Sequence, residues 1–147
     1  MRSKIINVGD VFQGRTQTDI VNQVFDKNYK LWLKSYVLLD KYGKENSFVW
    51  FAKTDGKKHG HRKNYEWRNI LLNGDDLIVT NLVSSSQSEY ISKRMKNLGQ
   101  PVYFFILEES RQGLAATYKG VYKIQEEFDG KKIVYAKISK ESLNIIL

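Results

Sequence analysis

The sequence predicts an α+β fold, a mostly antiparallel β-barrel or half-barrel with two short helices, in a single domain over residues 1–147. Three observations lead to this prediction. Short segments rich in β-branched and aromatic residues recur between Gly-, Asn- and Asp-containing turns, which is typical of antiparallel strands. Strands and helices do not alternate strictly, as they would in a doubly wound parallel sheet. No self-similarity at a period of about 20–50 residues is present, which excludes solenoids and propellers.

The first third of the chain predicts a strand, a helix and a second strand. Residues 4–12 form an apolar segment broken by Gly9-Asp10, a turn pair. Thr16 and Asp19 have the spacing of a capping box, and the apolar face of a helix follows at Ile20, Val21, Val24 and Phe25. Residues 29–39 alternate as a strand does, although their pattern is also compatible with a helix.

The middle of the chain predicts three strands and a second helix. The strands are Ser47–Lys53, Tyr65–Asn69 and Leu77–Val83, and a turn at residues 73–76 separates the last two. The second helix begins with Ser86 as N-cap and Glu89 closing the capping box. Gly99 and Pro101 end it.

The last third predicts three more strands, Val102–Leu107, Ala115–Gln125 and Lys132–Ile138. A turn at Phe128-Asp129-Gly130 favours a hairpin between the last two. Residues 139–147 are expected to add a terminal helical turn. The total is about seven strands and two helices, as in small barrels.

Composition points to a polyanionic partner and excludes several classes of protein. The 147 residues carry 24 Lys+Arg against 16 Asp+Glu, a net charge of +8, and include no cysteine. A hydrophobic content of 41% excludes intrinsic disorder, and the lack of cysteine excludes a disulfide framework, a thiolate zinc site and a cysteine nucleophile. No apolar run reaches the roughly 18 residues of a membrane span, and no signal-peptide core is present. We expect a soluble, cytoplasmic protein with no membrane partner, and the excess positive charge favours nucleic acid.

Half of the net charge lies in residues 53–63, KTDGKKHGHRK, which contain five Lys/Arg and one Asp and which we call the cationic segment. In a nucleic-acid interpretation its cations bind phosphates, and a backbone group or one arginine contacts a base edge. The residues concerned are Lys57, Lys58, Arg62 and Lys63, with His59 and His61 between them. The alternative is a solvated hairpin tip, which Lys and Gly also suit.

Aromatic and polar residues follow the cationic segment directly. Tyr65 and Trp67 are two apart and could stack on a single-stranded or extruded base, while Arg68 and Asn69 would lie near the same rim. Alternating aromatic residues in a strand also commonly face the core. Arg15, between the first strand and the first helix, is a further candidate for a phosphate or base contact, the alternative being an ordinary surface loop.

No catalytic, metal-binding or cofactor-binding constellation is visible. His59 and His61 lack a third ligand, and an HNH nuclease would need further His, Asn and acid in a ββα frame. Where an Asp…Glu-x-Lys nuclease needs a carboxylate two residues before Lys53 or Lys137, the chain has Phe51 and Tyr135. Phosphate-binding Gly loops, Gly-x-Ser-x-Gly elbows and His-Glu-x-x-His helices are absent from the sequence. We therefore predict no cofactor and leave open whether the protein is an enzyme.

The order of these motifs resembles the PUA-like and SRA-like pseudobarrel domains of restriction systems. The resemblance is carried by Gly9-Asp10-Val11-Phe12, Val49-Trp50-Phe51, Tyr65-x-Trp67, Gly99-x-Pro101-Val102-Tyr103 and Tyr118-x-Gly120-x-Tyr122. It implies a non-catalytic specificity module that binds duplex DNA and recognises a short sequence or a modified base, with a nuclease or helicase subunit as a candidate partner. The residues expected to bind DNA are Arg15, Lys57, Lys58, His59, His61, Arg62, Lys63, Tyr65, Trp67, Arg68 and Asn69.

Three other functions remain open at this point. A small Mg²⁺-dependent nuclease would bring Glu45, Glu66, Asp75 and Asp76 together in space, and its nicking activity would disappear with EDTA. An RNA-binding PUA-like domain would use the same surface. A protein-interaction domain would show no salt-dependent affinity for polyanions.

Overall fold

The computed structural model describes residues 2–32, 34–53, 67–82, 99–111, 113–125 and 132–147, with the backbone alone at positions 67, 68, 81, 82 and 132. These residues form ten strands, one α-helix (α1) and one 3₁₀ helix (η1). In chain order the elements are β1 (Ser3–Ile6), β2 (Val11–Gly14), α1 (Gln17–Phe25), β3 (Tyr36–Leu38), η1 (Asp40–Tyr42), β4 (Phe48–Lys53), β5 (Trp67–Leu72), β6 (Leu77–Leu82), β7 (Val102–Ser110), β8 (Gly113–Ile124), β9 (Lys132–Ser139) and β10 (Leu143–Ile146).

The strands form two sheets. β1 and β10 make a two-stranded antiparallel sheet, and the other eight form a large sheet with the path β3-β4-β7-β8-β9-β6-β5, in which β2 also pairs with β8. The pairing is antiparallel except between β4 and β7, which run parallel. The fold is thus broadly α+β and rich in β structure, but its sheets are open. The sequence predicts a barrel or half-barrel, and the described residues form no closed barrel.

Helix α1 forms where the capping-box spacing predicts it. The Thr16 side chain accepts a hydrogen bond from the Asp19 N–H, and the Asp19 carboxylate accepts one from the Thr16 N–H. This reciprocal pair satisfies two N–H groups that a helix start leaves without partners. The apolar face, which includes Ile20, Val21, Val24 and Phe25, is fully buried, as predicted.

The large sheet is covered on both faces. Alternate residues of β4 and β7, among them Phe51 and Phe105, pack with α1, β1 and β10 in what we call the outer core. The intervening residues, among them Trp50 and Phe104, meet side chains of β6, β8 and β9 in the inner core. Because successive strand residues point to opposite faces, two buried faces require an uninterrupted apolar run. This requirement explains the sequences FVWFA in β4 and VYFFIL in β7.

The large sheet is strongly curved toward the inner core. The ring centroids of Trp50 on β4 and Tyr135 on β9 are 4.8 Å apart. Three strand-to-strand steps separate β4 from β9, which would place the strands about 14 Å apart in a flat sheet. Their contact therefore shows that the sheet bends around its inner face.

An irregularity in β8 allows this curved strand to contribute side chains to both cores. Phe104 pairs with Gly120 and Phe105 with Tyr118, which leaves Lys119 as an extra residue. Tyr118 consequently belongs to the outer core and Tyr122 to the inner core, although the two differ by an even number of positions. Gly120 has φ +121°, and a Cβ there would lie 2.7 Å from the Ser139 carbonyl oxygen, so only glycine fits.

Two predicted elements were wrong. Within residues 29–39 only Tyr36–Leu38 form a strand, because α1 side chains bind the preceding backbone: Asn22 bonds both the N–H and the carbonyl of Tyr29, and the Thr18 hydroxyl accepts from the Trp32 N–H. The predicted terminal helical turn is instead strand β10, whose alternating Leu143 and Ile145 are buried while β1 supplies the hydrogen-bonding partners.

The remaining predicted elements divide into those observed and those that cannot be compared. The strands predicted around residues 47–53, 65–69, 77–83, 102–107, 115–125 and 132–138 are present within the described ranges, some with shifted ends. The single strand predicted over residues 4–12 is instead two strands, β1 and β2, which belong to different sheets. The second helix and the Phe128-Asp129-Gly130 turn lie outside the described residues. No helix formed by the described part of the chain is long and apolar enough to cross a membrane.

Candidate nucleic-acid interface

The structure locates only part of the predicted interface. Seven of its residues lie outside the described ranges: Lys57, Lys58, His59, His61, Arg62, Lys63 and Tyr65. Trp67 and Arg68 are the first two residues of β5, where the backbone is described. Asn69 follows them in the same strand, and Arg15 lies between β2 and α1.

Asn69 joins the two strands that flank residues 54–66. Its side-chain N–H donates to the Lys53 carbonyl oxygen at 3.1 Å, and its amide oxygen accepts from the Thr80 hydroxyl at 2.8 Å. Asn69 is 6% exposed and Thr80 is 1% exposed, and the two face each other directly across the β5–β6 pair. We call this buried chain of hydrogen bonds the Asn69 link. Its donors and acceptors are satisfied by protein groups, as burial demands.

The link exists because of the curvature of the sheet. β4 and β5 are separated along the sheet path by β7, β8, β9 and β6, so in a flat sheet they would lie about 24 Å apart. Bending brings the middle of β5 against the end of β4, and a side chain rather than a backbone ladder joins them. The sheet therefore stays open although its last strand, β5, contacts the end of β4.

Three segments that connect strands, residues 54–66, 83–98 and 126–131, begin or end at this border of the sheet. Lys53 immediately precedes residues 54–66, and Trp67, which follows them, pairs with Leu82. Leu82 immediately precedes residues 83–98, and Lys132, which follows residues 126–131, pairs with Asn81. Chain connectivity thus anchors the cationic segment at the border that the Asn69 link holds together.

Arg15 has an exposed side chain on a fixed backbone. Its N–H donates to the Asp19 carboxylate at 3.0 Å. Its backbone also lies against the β7–β8 hairpin, where a Cβ at Gly113 would come within 2.6 Å of the Arg15 Cα. Among the described residues the Arg15 guanidinium has no acidic partner. An exposed cation held on a rigid backbone suits a phosphate contact.

A second polar cluster lies in the turn between β5 and β6, centred on Asp75. The Asp75 carboxylate binds Lys137 Nζ at 2.5 Å and Lys119 Nζ at 3.5 Å, and the Asp75 backbone carbonyl accepts from the Tyr122 hydroxyl at 2.5 Å. Burial raises the pKa of Asp75, but the hydrogen bond and charge of Lys137, followed by those of Lys119, outweigh it and leave the pKa below its usual range. The cluster fastens the turn to β8 and β9.

The carboxylates of the nuclease hypothesis are dispersed among the described residues. Asp75 is occupied by two lysines, and Glu45 is exposed in the connection between η1 and β4. Within the described ranges no three His, Asp or Glu side chains are close enough to share a metal ion. Glu66 lies outside those ranges.

Sequence reasoning missed Thr80 and Lys137 as partners of predicted residues. Thr80 occupies an inner-core position next to buried Ile78 in an otherwise apolar strand pattern, and such a polar residue on an apolar face is a signal that could have identified it. Lys137 offered no comparable signal, because alternation alone does not show that its side chain is 8% exposed beside Asp75.

Comparison with known proteins gives a structural likeness. No family model and no curated protein sequence matches the chain. Among solved structures it is similar to the 5-hydroxymethylcytosine-specific restriction enzyme AbaSI, with a TM-score of 0.63 and 19% sequence identity. The similarity covers 97% of this chain and 42% of that enzyme's chain, so this chain spans less than half of its length. At this identity the likeness establishes the fold.

The Asn69 link makes a prediction for stability. Thr80→Val removes the donor to the Asn69 amide oxygen while retaining the shape of the side chain, so we expect a loss of about 1–3 kcal/mol in the free energy of unfolding. Thr80→Ser keeps the hydroxyl and should lose less. Urea unfolding of the three proteins measures the difference, and a Val variant as stable as the Ser variant would contradict the role of this hydrogen bond.

The Asp75 cluster predicts a pH dependence. The folded-state pKa of Asp75 is depressed, so its contribution to stability is present above the unfolded-state pKa of about 4 and is lost as the pH falls through the folded-state value. Asp75→Asn should therefore be less stable than the wild type at neutral pH, and the gap should narrow below about pH 4. Urea unfolding at several pH values tests this, with exposed Glu109→Gln as the control. A gap that stays constant with pH would refute the ion pairs.

Proposed function

We propose that this chain is a non-catalytic DNA-binding module of a restriction or defence system, which recognises a short sequence or a modified base in duplex DNA. The observation that carries the proposal is the fold shared over 97% of the chain with a restriction enzyme specific for 5-hydroxymethylcytosine. The net charge of +8 supports it independently, since cationic side chains supply most of the affinity of proteins for DNA.

The modified base we propose is a cytosine that carries a small polar group at C5. That position lies in the major groove, where a protein can contact it directly, or it can be presented to a pocket after the nucleotide is extruded from the duplex. The proposal makes 5-hydroxymethylcytosine the first base to test, because it is the base named for the structurally similar enzyme.

The residues take the following roles in this proposal. The phosphates of the DNA are bound by Arg15, Lys57, Lys58, Arg62 and Lys63, with His59 and His61 beside them. Tyr65 and Trp67 stack on a base, and Arg68 contacts a base edge. Asn69 supports these residues by fixing the border, because its amide already binds Lys53 and Thr80. Cleavage is assigned to a partner nuclease, a helicase subunit is the other candidate partner, and the complex acts in the cytoplasm.

A direct competition tests the proposal. Unmodified duplex, 5-hydroxymethylated duplex, single-stranded DNA and structured RNA of matched length compete for the chain at fixed salt concentration. We expect duplex DNA to bind best and the hydroxymethylated duplex to exceed the unmodified one. RNA as the best ligand would favour the PUA-like alternative, and no salt-dependent binding would overturn the proposal. Mg²⁺-dependent nicking that disappears with EDTA would instead identify a nuclease.

The cationic segment makes its own prediction. Arg62→Gln and Lys63→Gln should each flatten the dependence of log affinity on log salt by about 0.9, the value for one phosphate of B-form DNA that is no longer neutralised. The measurement is a salt titration of binding for each variant. Unchanged slopes would remove these two residues from the interface without contradicting DNA binding by the rest of the chain.

A further inference from the structure

The cations of the described part of the chain fall into two groups. Arg2 and Lys4 pair with Asp26, and Lys119 and Lys137 pair with Asp75, so these four are engaged in holding the fold. Most of the other cations whose side chains are described are exposed and have no ion pair with any described residue. Four of these, Arg15, Lys34, Lys53 and Arg111, are brought together by the backbone, and we call them the cationic row.

Lys34 and Lys53 lie side by side at the end of β4. The Ser35 carbonyl oxygen accepts from the Phe51 N–H at 2.6 Å, which places Lys34 beside the last two residues of β4. The Gln17 side chain donates to the Lys34 carbonyl oxygen at 2.6 Å, so the first turn of α1 also lies at this point. Arg15 precedes Gln17 by two residues and therefore lies on the same end of the molecule.

Arg15 and Arg111 are joined through the β7–β8 hairpin. A Cβ at Gly113 would lie 2.5 Å from the Gly14 carbonyl oxygen and 2.6 Å from the Arg15 Cα, so the hairpin tip touches the backbone of Arg15. Arg111 lies in this tip, two residues before Gly113. Since Lys53 pairs with Leu107 on β7, the same hairpin continues to the end of β4. The four cations thus follow one edge of the sheet from β4 to β2.

The acids near the row only partly offset its charge. Glu108 and Glu109 are exposed in the same hairpin, whereas the Asp19 carboxylate is engaged by the N–H groups of Arg15 and Thr16. With Asp19 included, four cations against three carboxylates leave the edge positive by one charge. The cationic segment starts directly from Lys53, at one end of the row.

We propose that the cationic row binds the phosphate backbone of DNA beside the base that the module recognises. This inference rests on the proposed function and adds Lys34, Lys53 and Arg111 to the interface. From Lys34, on the β3 side of β4, to β2 the row crosses four strand spacings, about 19 Å, which matches about five to six nucleotide steps at 3.4 Å each along one DNA strand. The row sets the orientation of the duplex, since phosphate contacts position a protein and carry no sequence information.

A triple variant with a matched control tests the row. The test variant carries Lys34→Gln, Lys53→Gln and Arg111→Gln, and the control carries Lys41→Gln, Lys123→Gln and Lys140→Gln. Both remove three positive charges from residues that have no ion pair within the described ranges. Lys41 lies at the opposite end of β4, in η1, and the other two lie near the far end of β8.

Salt titrations of duplex binding separate the outcomes. We expect the slope of log affinity against log salt to flatten by about 0.9 for each phosphate that the test variant no longer neutralises, about two to three units in all, and to change little in the control. The preference for hydroxymethylated over unmodified duplex should persist. Equal slopes in the test and control variants would overturn the row while leaving the proposed function standing. A wild-type chain that binds no duplex would overturn the proposed function, and the row with it.

Discussion

The rest of the structure depends on the curvature of the large sheet around its inner core. Trp50 touches Tyr135 across two intervening strands, and Phe104 packs against both Trp50 and Tyr122. These rings bury large apolar surfaces and prefer tilted or edge contacts, which a concave face allows and a flat one does not. α1 and the β1–β10 sheet cover the convex face, so the bend is supported from both sides. Because the sheet bends, β5 reaches β4, and their contact forms the border that carries the candidate interface.

Polar contacts fix the position of the β5–β6 hairpin, which apolar packing alone does not determine. The β5–β6 hairpin pairs with the rest of the large sheet through β9, and hydrophobic packing alone is non-directional. The Asn69 link fastens one end of this hairpin to β4, and the Asp75 cluster fastens its turn to β8 and β9. Both are satisfied networks, in which removing one member leaves a partner without its counterpart. The border is thus held in place by a few directional bonds.

Much of the secondary structure could be predicted from local patterns, and the exceptions have physical causes. The capping box of α1 and the apolar runs of β4 and β7 depend on neighbouring residues, and they form where predicted. Residues 29–35 alternate like a strand, but the side chains of Asn22 and Thr18 bind their backbone groups. Strand periodicity does not reveal such contacts. The end of the chain becomes β10 because β1 offers a partner. In the candidate interface, Asn69 was identified by its position next to Trp67, but its bond to Lys53 depends on a curvature that the sequence does not display.

Net charge alone does not identify a binding surface, because a protein also uses cations to hold its own fold. In the described part of this chain, the two acids that join distant elements, Asp26 and Asp75, each bind two cations. Each acid offsets one of the two positive charges that it binds, so these four cations attract a polyanion less than four unpaired cations would. Cations without an ion pair add the rest of the field that a polyanion meets, and their location follows from the backbone bonds that place them. Here those bonds gather four cations without ion pairs along the edge from which the cationic segment also starts, so part of a charge that is spread through the sequence lies along one edge.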